Sequence, residues 1–163
     1  ARAAAAVGEA LGLTAEQIKT GIEGMETIAR RNHIIRENGF LILDDCYNAN
    51  PVSMKASVDV LDTAKGRKVC ILGDMFELGE NSKELHKEVG QAAVGKVDIL
   101  VCIGNLSKDI AEAAIEGGCN TLYFPNKADF EENLSAYIKE GDTVLIKASN
   151  GMKFKTIVEK LKG

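Results

Sequence analysis

Five short apolar runs recur along the chain beyond residue 40, and polar, helix-like stretches separate them. All but the fourth run are almost continuously apolar, which is typical of strands that are buried on both faces of a parallel sheet. The runs are Leu41–Leu43, Val69–Leu72, Ile99–Ile103, Thr121–Phe124 and Thr143–Ile146. The pattern therefore predicts a sheet whose strands are covered by helices on both sides.

The stretches between the runs carry apolar residues at helical spacing. Their apolar faces are Met54, Val58 and Leu61, then Leu85, Val89, Ala92 and Ala93, then Phe130, Leu134, Tyr137 and Ile138, then Phe154, Ile157, Val158 and Leu161. Capping signals agree, because Asn50-Pro51, Asn81 with Glu84, and Asn126 with Asp129 each predict a helix start. The alternation predicts an α/β fold with a Rossmann-like, mostly parallel, doubly wound sheet.

The residues ahead of the first core strand predict an antiparallel edge hairpin preceded by two short helices. Asn38-Gly39 joins the extended runs His33–Arg36 and Phe40–Leu43, and Asn-Gly favours a tight hairpin turn. An Ala-rich helix precedes Thr14, which caps a second helix. Because the chain starts inside a helical pattern, we interpret residues 1–28 as the end of a preceding domain with its linker, and residues 29–163 as a second domain.

Composition excludes several kinds of partner. The net charge of −4 argues against nucleic acid as a partner, and no apolar run is long enough to span a membrane. The four cysteines form no C-x-x-C pair, so we expect reduced thiols and no metal site. Neither His33 nor His86 stands out from a surface or packed residue.

Polar residues gather where the predicted strands end, which is where parallel α/β sheets bind ligands. The segment Asp44–Asn50 is the most unusual, with two aspartates, a tyrosine and two asparagines ahead of Pro51. Turn formation and helix capping explain such residues equally well. The chain lacks both G-x-G-x-x-G and G-x-x-x-x-G-K-[ST], so it has no obvious means of holding a triphosphate by itself.

Three motifs in order resemble those of the Mur ligases, in particular the subgroup that joins D-alanyl-D-alanine to UDP-N-acetylmuramoyl-tripeptide. Asp44–Met54 contains Y-N-A-N-P, Ile71–Gly79 resembles L-G-D-M-x-E-L-G, and Leu145–Ser149 resembles V-K-G-S. The resemblance implies that residues 1–28 complete a central ATPase domain and that residues 29–163 are the C-terminal domain of an ATP-dependent amide ligase in peptidoglycan synthesis.

The resemblance also implies roles for particular residues. Arg30, or alternatively Arg31, is expected to reach the ATP γ-phosphate as the catalytic arginine, and Asp45 and Tyr47 are expected to contact ATP. Without the family, Arg30 is an ordinary exposed cation. A hinge over Glu26–Arg31 is expected to close the domain over the nucleotide.

We assign the D-alanyl-D-alanine end of the cleft to five residues. Amide and carboxylate side chains can orient a dipeptide and hold its ammonium group, and Lys147 with Ser149 can receive its carboxylate. The five are Asn48, Asn50, Asp74, Lys147 and Ser149. A strand-end lysine and a capping serine are the alternatives. The chain departs from the family at Ala148, where glycine is usual, and at Asn150, where arginine is frequent.

The implied partners are ATP, D-alanyl-D-alanine, UDP-N-acetylmuramoyl-tripeptide and the protein's own N-terminal and central domains. We expect the missing central domain to bind Mg²⁺ and most of ATP, so this chain alone is inactive. A cytoplasmic monomer is expected. Two alternatives remain open. One is another ligase of the superfamily, either a lysine- or diaminopimelate-adding ligase or a folylpolyglutamate synthetase. The other is a stand-alone flavodoxin-like binding module.

Overall fold

The computed structural model describes residues 2–24 and 33–163. Its helices are α1 (Arg2–Ala10), α2 (Ala15–Glu23), α3 (Pro51–Asp62), α4 (Ser82–Ala93), α5 (Lys108–Glu116), α6 (Lys127–Glu132), α7 (Leu134–Tyr137) and α8 (Lys155–Lys162). Its strands are β1 (His33–Glu37), β2 (Phe40–Asp44), β3 (Lys68–Gly73), β4 (Ile99–Ile103), β5 (Thr121–Phe124) and β6 (Thr143–Lys147). Short 3-10 turns, Gly79–Asn81 and Asn150–Met152, precede α4 and α8. No helix within these two ranges has the length and apolar character needed to cross a membrane.

One sheet with the strand order β1-β2-β6-β3-β4-β5 organises the described residues. The β1–β2 pair is antiparallel, and the other neighbouring pairs are parallel. Asn38 and Gly39 connect β1 to β2 with φ angles of 50° and 77°, as the predicted tight turn requires. The predicted fold class is therefore confirmed, including the edge hairpin and the two helices upstream.

The sheet separates two apolar layers, because alternate strand residues point to opposite faces. The first layer joins Leu72, Leu100 and Leu145 to helices α3, α4 and α5. The second layer joins Ile71 and Ile146 to helices α6 and α8. Each central strand is thus buried on both faces, which explains its continuously apolar sequence.

Three details differ from the sequence pattern or fall outside the described residues. Asn81 makes no side-chain capping bond, because a 3-10 turn precedes α4 and takes the place of the predicted cap. The apolar stretch from Phe130 to Ile138 is broken at Asn133, whose side chain donates to the Asp129 carbonyl oxygen at 3.0 Å. The predicted domain boundary near residue 28 lies outside the described residues and stays a prediction.

The buried face of α4 is shifted from the face that its apolar residues indicate. It consists of His86, Val89, Gly90 and Ala93, and Leu85 is only partly buried. Gly90 lets α4 approach α5 closely, since a Cβ there would overlap the Ile110 carbonyl oxygen and lie 3.2 Å from the Ala113 Cβ.

Replacement of Gly90 by alanine should therefore destabilise the fold although alanine favours helices. We expect a loss of about 1–3 kcal/mol from overpacking, which exceeds the gain in helix propensity. Urea denaturation measures this, with Gln91→Ala as the control because Gln91 is exposed on the same helix. Equal or higher stability of Gly90→Ala would contradict the close α4–α5 contact.

Candidate functional site

The helical connections change sides at the carboxyl end of β6. The strands β2, β3 and β4 lead into helices of the first layer, whereas β6 leads into α8 of the second layer. Because β6 lies between β2 and β3, the loop after β6 departs in the opposite direction from the loops on either side of it. Such a switch point opens a crevice in which α/β proteins bind ligands.

A polar cleft of about 180 Å³ occupies this crevice. Its lining residues are Asn48 from the loop after β2, Phe76 and Glu77 from the loop after β3, and Ser149, Asn150 and Gly151 from the loop after β6. Asn48 and Ser149 were expected from the sequence to bind substrate, and they line the cleft. Asn50, Asp74 and Lys147 lie outside the cleft lining.

Lys147 joins the ends of β6 and β2 through a buried ion pair. Its side chain is 2% exposed, and its Nζ contacts Asp45 Oδ2 and donates to the Asn48 carbonyl oxygen at 2.9 Å. Ser57 on α3 donates its hydroxyl to the same Asp45 oxygen at 2.9 Å. In this structure Lys147 is therefore committed to Asp45 and to the backbone of the Asn48 loop.

Asp74 and Ser149 join the loops after β3, β4 and β6. Asp74 Oδ1 accepts hydrogen bonds from the backbone N–H groups of Leu106 and Ser107 at 3.0 and 2.7 Å. The backbone N–H of Ser149 donates to the Asp74 carbonyl oxygen at 3.0 Å. The Phe76 N–H donates to Ser149 Oγ at 2.9 Å, and the Ser149 hydroxyl can still donate its proton to an acceptor.

Both asparagines of the Y-N-A-N-P motif use their side chains locally. Asn50 Oδ1 accepts from the Ser53 N–H at 2.8 Å, and Ser53 Oγ accepts in return from the Asn50 N–H. This reciprocal pair is a capping box for α3. Asn48 Oδ1 accepts from the Ala49 N–H at 2.9 Å. The capping role of Asn50 is observed, and its substrate-binding role stays a prediction.

Phe76 and Glu77 are cleft residues that the sequence reasoning missed. Phe76 is 42% exposed and lies beside Gly151, where an added Cβ would be 3.1 Å from the ring. Glu77 has a φ of 63°, a left-handed conformation that is uncommon for residues other than glycine and frequent at functional sites. Both stand in the L-G-D-M-F-E-L-G motif, which was the available signal.

Cys46 carries no nucleophilic chemistry in this arrangement. Burial of the thiol, followed by the nearby Asp44 carboxylate, raises the Cys46 pKa well above its usual range. Its Sγ–H donates to the Ile146 carbonyl oxygen at 3.3 Å. A thiol in this state packs as a small apolar side chain between β2 and β6.

The model of the Mur ligase glutamate ligase domain matches residues 30–150 of this chain. The chain belongs to the Mur ligase family. It is 34% identical to the UDP-N-acetylmuramoyl-tripeptide–D-alanyl-D-alanine ligase of Bacillus subtilis over 99% of its own length and 36% of that protein's length. The chain therefore spans about a third of such a relative.

Solved structures of the same type of ligase share the fold of this Mur ligase domain. MurF from Acinetobacter baumannii is 31% identical, with a TM-score of 0.79 over 97% of this chain and 35% of that chain. MurF from Thermotoga maritima, in complex with ADP, is 26% identical, with a TM-score of 0.77 over 96% of this chain and 35% of that chain.

The nucleotide-binding residues expected in this Mur ligase domain are only partly described. Arg30, Arg31 and the hinge lie outside the described residues, so their roles stay predictions. Tyr47 is 44% exposed at the carboxyl edge, whereas Asp45 is buried. The nucleotide-binding roles of these two residues stay predictions. In the part of the chain that the structure describes, no group of three or more His, Cys, Asp or Glu side chains is placed to hold a metal ion.

Ala148, which stands where Mur ligases usually have glycine, is accommodated by a glycine on the neighbouring strand. Ala148 is fully buried, and a Cβ added to Gly73 would lie 2.7 Å from the Ala148 Cβ and 2.6 Å from Phe154 Cζ. The methyl group of Ala148 therefore fills the space that the missing side chain at Gly73 leaves.

Replacement of Lys147 by methionine should cost about 3–5 kcal/mol of stability, because it removes one partner of a buried ion pair. Chemical denaturation of the purified chain measures this loss. The matched control is Lys55→Met, which removes the exposed pair with Glu88 and should cost less than about 1 kcal/mol. Similar losses in the two variants would contradict the assignment of the Lys147–Asp45 pair as buried and structural.

Proposed function

We propose that this chain is the C-terminal domain of an ATP-dependent ligase that adds D-alanyl-D-alanine to UDP-N-acetylmuramoyl-tripeptide. The observation that carries the proposal is that three motifs, far apart in the sequence, contribute their residues to one cleft at the switch point of the sheet. Family membership removes the support for a stand-alone flavodoxin-like module.

In the proposed reaction the tripeptide carboxylate attacks the γ-phosphorus of ATP, the bond to the β-phosphate oxygen breaks, and the products are an acyl phosphate and ADP. The neutral amine of the dipeptide attacks the acyl carbon, the C–O bond to phosphate breaks, and the amine loses a proton as the amide forms. The part played by this domain is to hold the acceptor dipeptide and to close over the nucleotide. Positioning of this kind can account for much of the rate of a two-substrate reaction.

The chemistry of the cleft suits a zwitterionic dipeptide. Among the described residues that line it, Glu77 is the charged one, and its exposed carboxylate can hold the dipeptide ammonium group. The Ser149 hydroxyl and the amides of Asn48 and Asn150 can donate to the dipeptide carboxylate. We assign Asp74 and Lys147 to the support of these loops, together with the capping residue Asn50.

We further propose that domain closure brings Arg30, Asp45 and Tyr47 to ATP and that residues beyond this chain bind Mg²⁺. The tripeptide, ATP and the N-terminal and central domains are then its partners. All four cysteines are free thiols, which agrees with action in the reducing cytoplasm. We expect the full-length ligase to act there as a monomer.

A coupled phosphate-release assay of the full-length ligase tests the proposed function. We expect phosphate release to require both UDP-N-acetylmuramoyl-tripeptide and D-alanyl-D-alanine, and we expect no turnover by the isolated chain. L-Lysine, diaminopimelate and glutamate are the competing acceptors. Turnover with one of these amino acids in place of the dipeptide would assign the chain to another ligase of the superfamily.

Replacement of Glu77 by glutamine should raise the KM for D-alanyl-D-alanine by about tenfold, because a charge-assisted hydrogen bond to the ammonium group is lost. The KM for ATP should stay unchanged. Glu80→Gln is the matched control, since Glu80 is exposed on the same connection but does not line the cleft. An unchanged dipeptide KM in Glu77→Gln would remove Glu77 from the acceptor site.

A further inference from the structure

His86 lies beneath the loop that follows β3 and is completely buried. Its Nε2 accepts a hydrogen bond from the Met75 N–H at 3.0 Å, and its Nδ1 lies 2.7 Å from the Ser82 carbonyl oxygen. A ring nitrogen that faces an N–H must be the acceptor, so the proton is on Nδ1 and the imidazole is neutral. The ring therefore connects helix α4 to the loop above it.

The Met75 N–H is the point at which this loop is held from below. On one side of it the Asp74 carbonyl oxygen accepts from the Ser149 N–H, and on the other side the Phe76 N–H donates to Ser149 Oγ. The loop is thus held between α4 and the loop after β6. A shift of Met75 would move Phe76 and Glu77, two of the residues that line the cleft.

Packing alone gives no reason for a histidine at this position. An apolar side chain would fill the same buried space but would leave the Met75 N–H without its hydrogen-bond acceptor, which is unfavourable for a buried donor. Glu77, two residues further on, has a left-handed backbone that persists only where the surrounding contacts fix it. The bond from His86 is one such contact.

We propose that His86 is a positioning residue for the acceptor cleft. By accepting a hydrogen bond from the Met75 N–H, it fixes the position of the turn that carries Phe76 and Glu77 relative to Ser149. This inference rests on the proposed function, since the acceptor is taken to bind in that cleft. His86 itself does not line the cleft.

Two variants separate the two bonds of the ring. Asparagine places its amide at the level of Nδ1, so His86→Asn keeps a donor for the Ser82 carbonyl oxygen and loses the acceptor for Met75. Glutamine reaches the level of Nε2, so His86→Gln can still accept from the Met75 N–H. In the full-length ligase we expect His86→Asn to raise the dipeptide KM by about tenfold, with the ATP KM unchanged, and His86→Gln to restore most of the affinity.

Hydrogen exchange of the Met75 amide reports the bond independently of activity. We expect faster exchange in His86→Asn than in the wild type and near-normal exchange in His86→Gln. Unchanged Met75 exchange in His86→Asn, or faster exchange with an unchanged dipeptide KM, would overturn the proposal. Equal increases in both KM values would assign His86 to general stability and overturn it as well. Absence of dipeptide-dependent turnover in the wild-type ligase would instead contradict the proposed function, and the acceptor role of the cleft with it. Exchange of the Met75 amide would still show whether His86 holds the loop in place.

Discussion

The ion pair between Lys147 and Asp45 is the constraint on which the arrangement of the site depends. Lys147 ends β6 and Asp45 directly follows the neighbouring parallel strand β2, and burial makes both charges costly when they are not paired. Because the same ammonium group also holds the Asn48 carbonyl oxygen, the pair fixes the path of the loop after β2. One wall of the cleft thus follows directly from an electrostatic requirement at the end of β6.

The other wall depends on hydrogen bonds between backbone and side chains of different loops. Ser149 accepts from Phe76, Asp74 accepts from the loop after β4, and His86 accepts from Met75. These acceptors satisfy backbone N–H groups that are buried or partly buried. The side chains left at the surface of the cleft, above all Glu77 and Phe76, are those that can meet a ligand. Residues that build the site and residues that face the ligand are therefore largely different.

The sequence predicted the fold well because the relevant signals are local. Continuous apolar runs identify strands buried on both faces, and Asn38-Gly39 identifies a turn whose two residues have positive φ. The same apolar runs also predicted which edge of the sheet carries the cleft, because polar residues gather where the runs end. The face of α4 was misread because two of its buried residues, His86 and Gly90, are not counted as apolar.

The roles of individual site residues were less accessible to sequence reasoning. Asparagine and aspartate serve turns, caps and ligands alike, so the sequence predicted Asn50 both as a helix cap and as a substrate ligand, and its bond with Ser53 confirms the cap. A left-handed φ at Glu77 and an acceptor bond to Met75 leave no pattern in the sequence. They arise from contacts between elements that are distant along the chain.

Titration of the isotope-labelled chain with D-alanyl-D-alanine, followed by NMR, tests most directly whether this cleft is the acceptor site. L-Alanyl-L-alanine is the stereochemical control. We expect shifts that are selective for the D-isomer and centred on Asn48, Glu77, Ser149 and Gly151. Shifts that are equal for both dipeptides, or that cluster at the opposite edge of the sheet around Arg36 and Lys65, would contradict the assignment of the cleft.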